Sequence, residues 1–429
     1  MLVLELLNSN FMMNFNPRNG TAATLQTGVS KYVVLAQALL LTLTIGRGLA
    51  VAAINVASLG AVGNGSDATQ AIQSAINTAS VSGDTVYIPA GTYGISETLT
   101  ISNTMGVRIV GDGMLATMLQ PTTAMAGQPV IRFVDAMHCT VEALSILGNT
   151  NAPPSAGIES DTATGGEATH LTVRDVHIGS LSDASIADGI SFVAGPNDDA
   201  NNDMGFFENV MIYNYTHAGY SFVGANSLVH TIIGGIVGYG PIGVYTEGGS
   251  FKMTGTHFDG VTQVDFDFEN LVNSSLTAYQ HPIDIVNVSS ESGSGTLLTT
   301  GTDPIYISMT NVDEKFAPNS DPVINFQSNG VLYLSNSQLY MLGSGDSLNF
   351  NGGASQVVSL TNNFFNLSSM SVSGHLLSSG NCWQGNPSVT IASGALVTES
   401  NDLCGSIAAS NSSVTRSKKT NATVISGRK

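Results

Sequence analysis

The chain has 429 residues, of which only 10% are charged, and its formal net charge is −18. This acidity excludes a nucleic-acid-binding protein, which needs a basic surface to displace the counterions of phosphate groups. Hydrophobic residues make up 42% of the chain, enough for a core, whereas 47 Gly residues disfavour long helices. The composition therefore predicts an ordered, all-β protein.

Residues 1–52 are predicted to be an export signal. The apolar run from Tyr32 to Ile45 follows Lys31, and Ala50-Val51-Ala52 is typical of a signal-peptide cleavage site. A membrane span needs about 20 apolar residues, so no span is expected after cleavage; an uncleaved N-terminal anchor is the alternative. The mature protein is therefore expected to be secreted, periplasmic or at the cell surface.

The segment from Leu59 to Ile95 reads LGAVGNGSDATQAIQSAINTASVSGDTVYIPAGTYGI. Asp67 is a candidate helix N-cap, Ile72 and Ile76 lie on one face of a short helix, and Gly83 ends it. Residues 85–88 are predicted to form a strand, followed by a turn at residues 89–91.

This segment resembles the opening of pectate-lyase-superfamily proteins, in which a short helix precedes a VYLPAGTY-like strand. The resemblance is confined to the segment from Leu59 to Ile95 and implies that the helix caps a single-stranded, right-handed parallel β-helix.

Internal repeats support the same fold. Gly189-Ile190-Ser191-Phe192-Val193 recurs as Gly219-Tyr220-Ser221-Phe222-Val223. From there the spacing settles at about 22 residues, a period typical of a solenoid. We expect one β-helix domain over residues 53–405, in which one column contains Tyr220, Ile242, Val264 and Val286, and the next contains Phe222, Val244, Phe266 and Val288. Asn-rich turns such as Asn362-Asn363 suit this fold, because stacked Asn side chains can hydrogen-bond along a column.

The same spacing relates three glutamates, Glu247, Glu269 and Glu291. The alternation in Gly260–Asn270 is expected to place Asp265, Asp267 and Glu269 on the outer face. Stacked carboxylates repel one another, so at least one is expected to titrate above its usual range. One carboxylic acid beside one carboxylate is the equipment of a glycoside hydrolase.

Two other interpretations of these five acids, Glu247, Asp265, Asp267, Glu269 and Glu291, remain open. They could form a solvated surface on an acidic protein, or their oxygens could bind Ca²⁺. Hydrolysis itself requires no cofactor, and the histidines show no metal-binding spacing.

Further residues are candidates near the acidic patch. Tyr213, Tyr239 and Tyr245 are expected to stack against sugars, and Lys252 is the base expected nearest to the acids. Asp188 resembles part of the N-T-D motif of polygalacturonases, and Asp198-Asp199 resembles their paired aspartates. The remaining motifs of that family have no counterparts, so we interpret Asp188 as a turn residue.

The three cysteines and the C-terminal end complete the pattern. Cys139 is expected to be a buried free thiol, whereas Cys382 and Cys404, on successive coils, could form a disulfide. Residues 406–429 are Ser/Thr-rich and are expected to be a disordered tail.

The predicted function is that of an exported enzyme, a glycoside hydrolase acting on a linear polysaccharide. The few basic residues favour a neutral or weakly charged glycan over a polyuronate. The alternatives are a non-catalytic carbohydrate-binding or adhesive β-helix and a Ca²⁺-dependent polysaccharide lyase. The sequence leaves the oligomeric state open.

Overall fold

The computed structural model describes residues 53–402, 408–409 and 414–416, except for residues 163–164, 181, 184, 194–199, 225, 272–278, 280, 292–294, 316–321, 341–346 and 385–386. The predicted export signal, Asp198-Asp199 and Cys404 lie outside the described residues. In the described part, no helix has the length and apolarity needed to cross a membrane.

An N-terminal helix, α1, spans Thr69–Ser82 and covers the first coils. It buries Ile72, Ile76 and Ala79, the face predicted from the sequence. Asp67 lies one residue outside the N-cap position and accepts hydrogen bonds from the backbone and hydroxyl of Thr69 (3.0 and 2.6 Å). Gly83 ends the helix in the left-handed conformation (φ 72°), which a residue without a Cβ adopts readily.

All other regular structure in the described part is β, apart from short 3₁₀ turns at Val56–Leu59 and Thr123–Met125. The described strands form two parallel sheets of 25 and 13 members, which we call the larger and the smaller sheet. The smaller sheet contains β5 (Leu99–Ser102), β8 (Ile131–Val134), β10 (Ala156–Asp161), β12 (Ile186–Val193), β14 (Tyr215–Val223), β17 (Ile242–Glu247), β20 (Val264–Phe268), β23 (Leu298–Thr300), β26 (Ile324–Phe326), β29 (Ser347–Phe350), β32 (Ser369–Val372), β35 (Ser388–Ile391) and β37 (Ala408–Ala409).

From His230 onward, most coils contribute two strands to the larger sheet. Its members are β1 (Ala53–Asn55), β2 (Asn64–Asp67), β3 (Thr85–Ile88), β4 (Gly91–Ile95), β6 (Arg108–Gly111), β7 (Thr117–Pro121), β9 (Thr140–Ile146), β11 (Thr172–Gly179), β13 (Phe206–Tyr213), β15 (His230–Ile233), β16 (Ile236–Gly238), β18 (Phe251–Thr254), β19 (His257–Asp259), β21 (Ile283–Val286), β22 (Ser289–Glu291), β24 (Tyr306–Thr310), β25 (Asp313–Lys315), β27 (Val331–Ser335), β28 (Gln338–Tyr340), β30 (Val357–Thr361), β31 (Phe364–Asn366), β33 (His375–Ser379), β34 (Cys382–Gln384), β36 (Leu396–Ser400) and β38 (Val414–Arg416).

This architecture is a parallel β-helix, as predicted. Apolar side chains stack from coil to coil between the sheets and form one long core. In the smaller sheet, one inward column consists of Ile158, Ile190, Tyr220, Val244, Phe266, Leu298, Ile324, Leu348, Met370 and Val389.

Within the two predicted columns, the constant register of 22 residues holds for one step only. Val244 pairs with Phe266 at the predicted spacing. Tyr220, however, pairs with Val244 rather than Ile242, and Phe266 pairs with Leu298 rather than Val288. Val286 belongs to the larger sheet, and neither predicted inward column is therefore correct. The coils differ in length because their connecting loops differ, while strand pairing keeps the register.

Asparagine turns stabilise the stack, as the sequence indicated. Asn287, Asn311, Asn336 and Asn362 all have positive φ at bends that join successive strands. The amide of Asn311 donates to the side-chain oxygen of Asn287 at 2.7 Å. Side-chain bonds of this kind run along the axis from one coil to the next.

The predictions for the cysteines and for the C-terminal end are correct in part. Cys139 is a buried free thiol as expected, and burial raises the pKa of this thiol to about 11. Cys382 takes part in a disulfide. Strands β37 and β38 pair with β35 and β36, so β structure extends into the region predicted to be a disordered tail.

Candidate active site on the smaller sheet

Outward-facing acids meet at the ends of two neighbouring strands, β17 and β20. Tyr245 and Asp267 are paired in register, and the backbone N–H of Glu269 donates to the carbonyl of Thr246 at 2.9 Å. Glu247 and Glu269 therefore occupy the same register position, about 4.8 Å apart along the stack. This half of the predicted glutamate column is correct.

Asp267 is half-buried, whereas Glu269 is exposed. Its pKa is raised to about 6, first by burial and then by the negative charge of Glu269, while His217 opposes the shift. Its Oδ1 atom is buried and has no hydrogen-bond partner among the described residues. Asp267 can therefore hold a proton at mildly acidic pH, as the sequence predicted for one of the acids.

Two tyrosines fix the neighbouring glutamates. The hydroxyl of Tyr245 donates to Oε1 of Glu247, and burial together with that bond raises the pKa of Tyr245 far above its usual range. The hydroxyl of Tyr279 donates to the carbonyl of Glu269 at 2.6 Å. One glutamate side chain and the backbone of the other are thus held beside Asp267.

A second titratable pair, Asp188 and His217, borders this group. Nδ1 of His217 lies 2.7 Å from Oδ1 of Asp188, which also accepts the backbone N–H of Ala218 at 3.1 Å. The bond to Asp188 raises the pKa of His217; burial opposes the shift, and the charges of Asp267 and Glu247 add to it. The His217 ring also lies 5.0 Å from that of Tyr245.

The interpretation of Asp188 as a turn residue is wrong, because this residue lies within β12. His217 was not predicted as a site residue. The sequence repeat could have predicted this contact. Aligning Gly189-Ile190-Ser191 with Gly219-Tyr220-Ser221 pairs Asp188 with Ala218, and this places His217 next to Asp188.

The polar surface continues toward the N-terminal coils through Arg132. Its guanidinium contacts Glu159 (2.9 Å) and Asp161. Burial raises the pKa of Glu159, and the charge of Asp188 adds to this shift. Arg132, rather than Lys252, therefore continues the column that contains Asp267 on the smaller sheet.

Lys252 lies on β18 in the larger sheet, and its Nζ is 3.7 Å from Asp284. Tyr213 and Tyr239 also belong to the side of the larger sheet, where their rings are 5.9 Å apart. Tyr239 donates to Asp259 at 2.9 Å. These three predicted binding residues therefore do not adjoin Asp267, whereas Tyr245 does.

Glu291 does not extend the glutamate column. It lies on β22 and pairs with Asp259 in the larger sheet. The long coil between Phe266 and Leu298 moves it away from the position that a constant period predicts.

Asp265 does not lie on the outer face; it is fully buried in the interior. It continues a column of Gly189, Gly219 and Gly243, and a Cβ at Gly243 would lie 2.4 Å from the Phe258 ring across the core. Since Asp265 and Phe266 are adjacent and both face the core, the backbone bends at the start of β20. Strict alternation therefore fails at this point of the strand.

Inside the core, Asp265 faces Ser290 and Glu314 of the opposite sheet. Burial raises the pKa of Asp265 to about 7, and the nearby polar groups of Ser290 and Glu314 offset part of the shift. Burial raises the pKa of the Tyr215 hydroxyl well above its usual value, and the negative charge of Asp265 raises it further. Asp265 is therefore an interior acid that cannot contact a polysaccharide.

No group of three or more His, Cys, Asp or Glu side chains in the described part of the chain is arranged to hold a metal ion. The described surface offers the chemistry of its own carboxyl, imidazole and phenol groups. Asp267 can donate a proton, and the carboxylates around it can accept one.

Residues 53–234 match the family described as rhamnogalacturonase A/epimerase, pectate lyase-like. The predicted pectate-lyase resemblance is confirmed. The match to this pectate-lyase-like family includes Arg132, Asp188 and His217 but ends before Tyr245 and Asp267. No curated protein matches the chain in sequence.

Similar solved structures include an epimerase, an adhesin and a viral protein. The chain covers all of the mannuronan C-5 epimerase AlgE4 A-module of Azotobacter vinelandii, with 85% of its own length, 15% identity and a TM-score of 0.39. The chain covers 94% of the surface adhesin PfbA of Streptococcus pneumoniae with 85% of its own length; the sequence identity is 14% and the TM-score is 0.46. The chain covers 63% of ORF18 of Geobacillus virus E2, which is less than two thirds of that protein, with 85% of its own length. The sequence identity is 18% and the TM-score is 0.32.

Proposed function

We propose that this protein is an exported glycoside hydrolase that acts on a linear, neutral or weakly charged polysaccharide. The observation that carries the proposal is Asp267, a half-buried carboxyl with a pKa of about 6 beside the exposed carboxylate of Glu269. A general acid works best when its pKa lies near the working pH. The pectate-lyase-like match supports a polysaccharide as the substrate.

Asp267 would protonate the glycosidic oxygen, and Glu269 would activate a water molecule as general base. In extended backbone, the Cα atoms of residues at positions i and i+2 are about 6.6 Å apart. Carboxyl separations of about 6.5–9.5 Å suit inversion of the anomeric centre. The hydrogen bond from Tyr245 orients Glu247 next to this pair, and His217 adjusts the pKa of Asp267.

The decisive experiment incubates the full-length protein with a panel of polysaccharides, with and without a chelator. We expect new reducing ends without ultraviolet-absorbing unsaturated products, and no effect of chelation. D267N and E269Q should lower the rate by about 100-fold or more, since each removes the acid or the base. D313N, which changes an exposed acid on the larger sheet, is the matched control and should retain full activity.

Other outcomes would contradict the proposal in distinct ways. Unsaturated products, or activity lost on chelation, would indicate a Ca²⁺-dependent lyase. Full activity of D267N would exclude Asp267 as the acid.

A non-catalytic carbohydrate-binding protein is the second candidate. The stacked rings of Tyr213 and Tyr239 favour it, because Tyr239 is 49% exposed and presents an aromatic face to solvent. Binding to a polysaccharide without cleavage, weakened by Y239A and unaffected by D267N, would support this candidate over the hydrolase.

A further inference from the structure

A cavity of about 450 Å³ opens on the larger sheet in the C-terminal coils, away from Asp267. It lies at the bend where β27 and β30 turn at Asn336 and Asn362 into β28 and β31. This volume lies within the range of small-ligand sites, about 300–1,000 Å³. None of the described residues that line it carries a charged side chain.

One wall of the cavity is aromatic. The rings of Tyr340 and Phe364 are 5.1 Å apart and inclined by 36°. Tyr340 is 42% exposed, so the edge of this aromatic pair is accessible to a ligand. Apolar C–H faces, such as those of a pyranose ring, pack against such surfaces.

The remaining lining is rich in neutral hydrogen-bonding groups. The exposed side chain of Gln338 makes no hydrogen bond to any described residue, and the amide of Asn362 makes only a long contact of 3.5 Å to Asn336. Each amide offers both donors and an acceptor, and sugar hydroxyls can satisfy both.

The floor of the cavity is fixed before any ligand binds. Asn363 is buried, accepts the backbone N–H of Ser337 at 2.9 Å and donates to the carbonyl of Leu334 at 2.8 Å. Cys382, at the edge, is held by a disulfide. A preorganised site loses little conformational entropy on binding.

We propose that this cavity is a second carbohydrate-binding site, specific for an uncharged oligosaccharide. The aromatic wall, the accessible amides and the uncharged lining all match a neutral polyhydroxylated ligand. The site is independent of the proposed hydrolysis, because none of its lining residues belongs to the group around Asp267.

The test measures binding of neutral malto-, cello- and manno-oligosaccharides and of oligogalacturonates to the full-length D267N variant by calorimetry. We expect at least one neutral series to bind, and Y340A to weaken its affinity by about tenfold. Q338A should also weaken binding. Y333A is the matched control, since Tyr333 is equally exposed on the preceding strand but does not line the cavity.

Unchanged affinity in both Y340A and Q338A, or equal losses in Y340A and Y333A, would overturn the proposal. A preference for oligogalacturonates, or no binding by any neutral series, would do the same. Hydrolysis of a soluble substrate by Y340A in the otherwise native protein reports separately on the Asp267 site, so the two proposals can fail independently.

Discussion

At the scale of single residues, the environment of Asp267 distinguishes it from the exposed Glu269 beside it. It is half-buried, so water stabilises its charge poorly, and the neighbouring carboxylate of Glu269 raises its pKa further. His217 acts in the opposite direction, and Asp188 in turn favours the charged form of His217. The proton on Asp267 is thus governed by groups from three separate coils.

Replacing His217 should therefore shift the titration of Asp267. H217A removes a positive charge that favours the ionised carboxyl, so the pKa of Asp267 should rise above about 6. E269Q should lower it, because it removes a negative charge. Carbon-13 NMR titration of the Asp267 carboxyl measures both shifts directly.

The pH–rate profile provides a second measurement for the H217A variant. If Asp267 is the general acid, the alkaline limb should move to higher pH together with its pKa. H375A, which changes an exposed histidine on β33, should alter neither quantity. A fall in the pKa of Asp267 in H217A would contradict the electrostatic assignment.

At the scale of one element, β20 directs acids to both sides of the solenoid wall. Asp267 faces outward beside Tyr245, whereas Asp265 faces Ser290 and Glu314 inside. The glycines that precede Asp265 in its column leave room for large apolar side chains of the opposite sheet. At Asp265 this apolar packing gives way to a buried polar cluster, whose ionisation is opposed by desolvation.

The buried acid should make the stability of the protein depend on pH. The folded chain keeps the proton on Asp265 up to a pKa of about 7, whereas the usual value is 3.8. The stabilisation from this group is therefore fully present below about pH 4 and is lost as the pH rises through about 7. D265N should remove this decline in stability with rising pH. Urea unfolding at intervals from pH 4 to 8 measures the free energy of unfolding of both proteins.

D313N provides the control, since it changes an exposed acid of the larger sheet and should retain the wild-type pH dependence. A D265N variant whose unfolding free energy declined with pH as steeply as the wild type would show that the proton resides elsewhere in the cluster.

At the scale of the whole molecule, stability is built from contacts between successive coils. The described strands pair in parallel with their counterparts above and below, and the apolar core is continuous along the stack. In such an array each repeat interacts mainly with its neighbours. A substitution that destabilises one coil is therefore expected to affect that coil and its neighbours first.

Gly219 is a suitable position to test this locality. An added Cβ would lie 2.4 Å from the Cγ1 atom of Val237, so G219A should overpack the core and destabilise the protein by about 1–3 kcal/mol. Hydrogen exchange should accelerate first in β12, β14 and β17, and later in the C-terminal coils. T299A, on the outward column of β23, is the control; uniform acceleration over all coils in G219A would contradict a nearest-neighbour array.

The sequence by itself determined the fold class and the N-terminal helix. Composition excluded helical and disordered proteins, and the helix and the strand after it followed from local patterns that need no long-range information. The sequence pattern correctly placed four site residues together, because the two coils that carry them have no insertion between them. These residues are Tyr245, Glu247, Asp267 and Glu269. In that interval, a constant period of 22 residues equals the true strand register.

Only the tertiary structure decided the rest of the site. Loops of different length place Leu298, rather than Val288, next to Phe266, and this separates Glu291 from the other glutamates. A bend in the backbone turns Asp265 inward, against the alternation of the strand. His217 meets Asp188 through the pairing of β12 with β14, across a bulge. These contacts depend on how distant segments stack, and that stacking is set by the sum of pairings along the solenoid rather than by any local pattern.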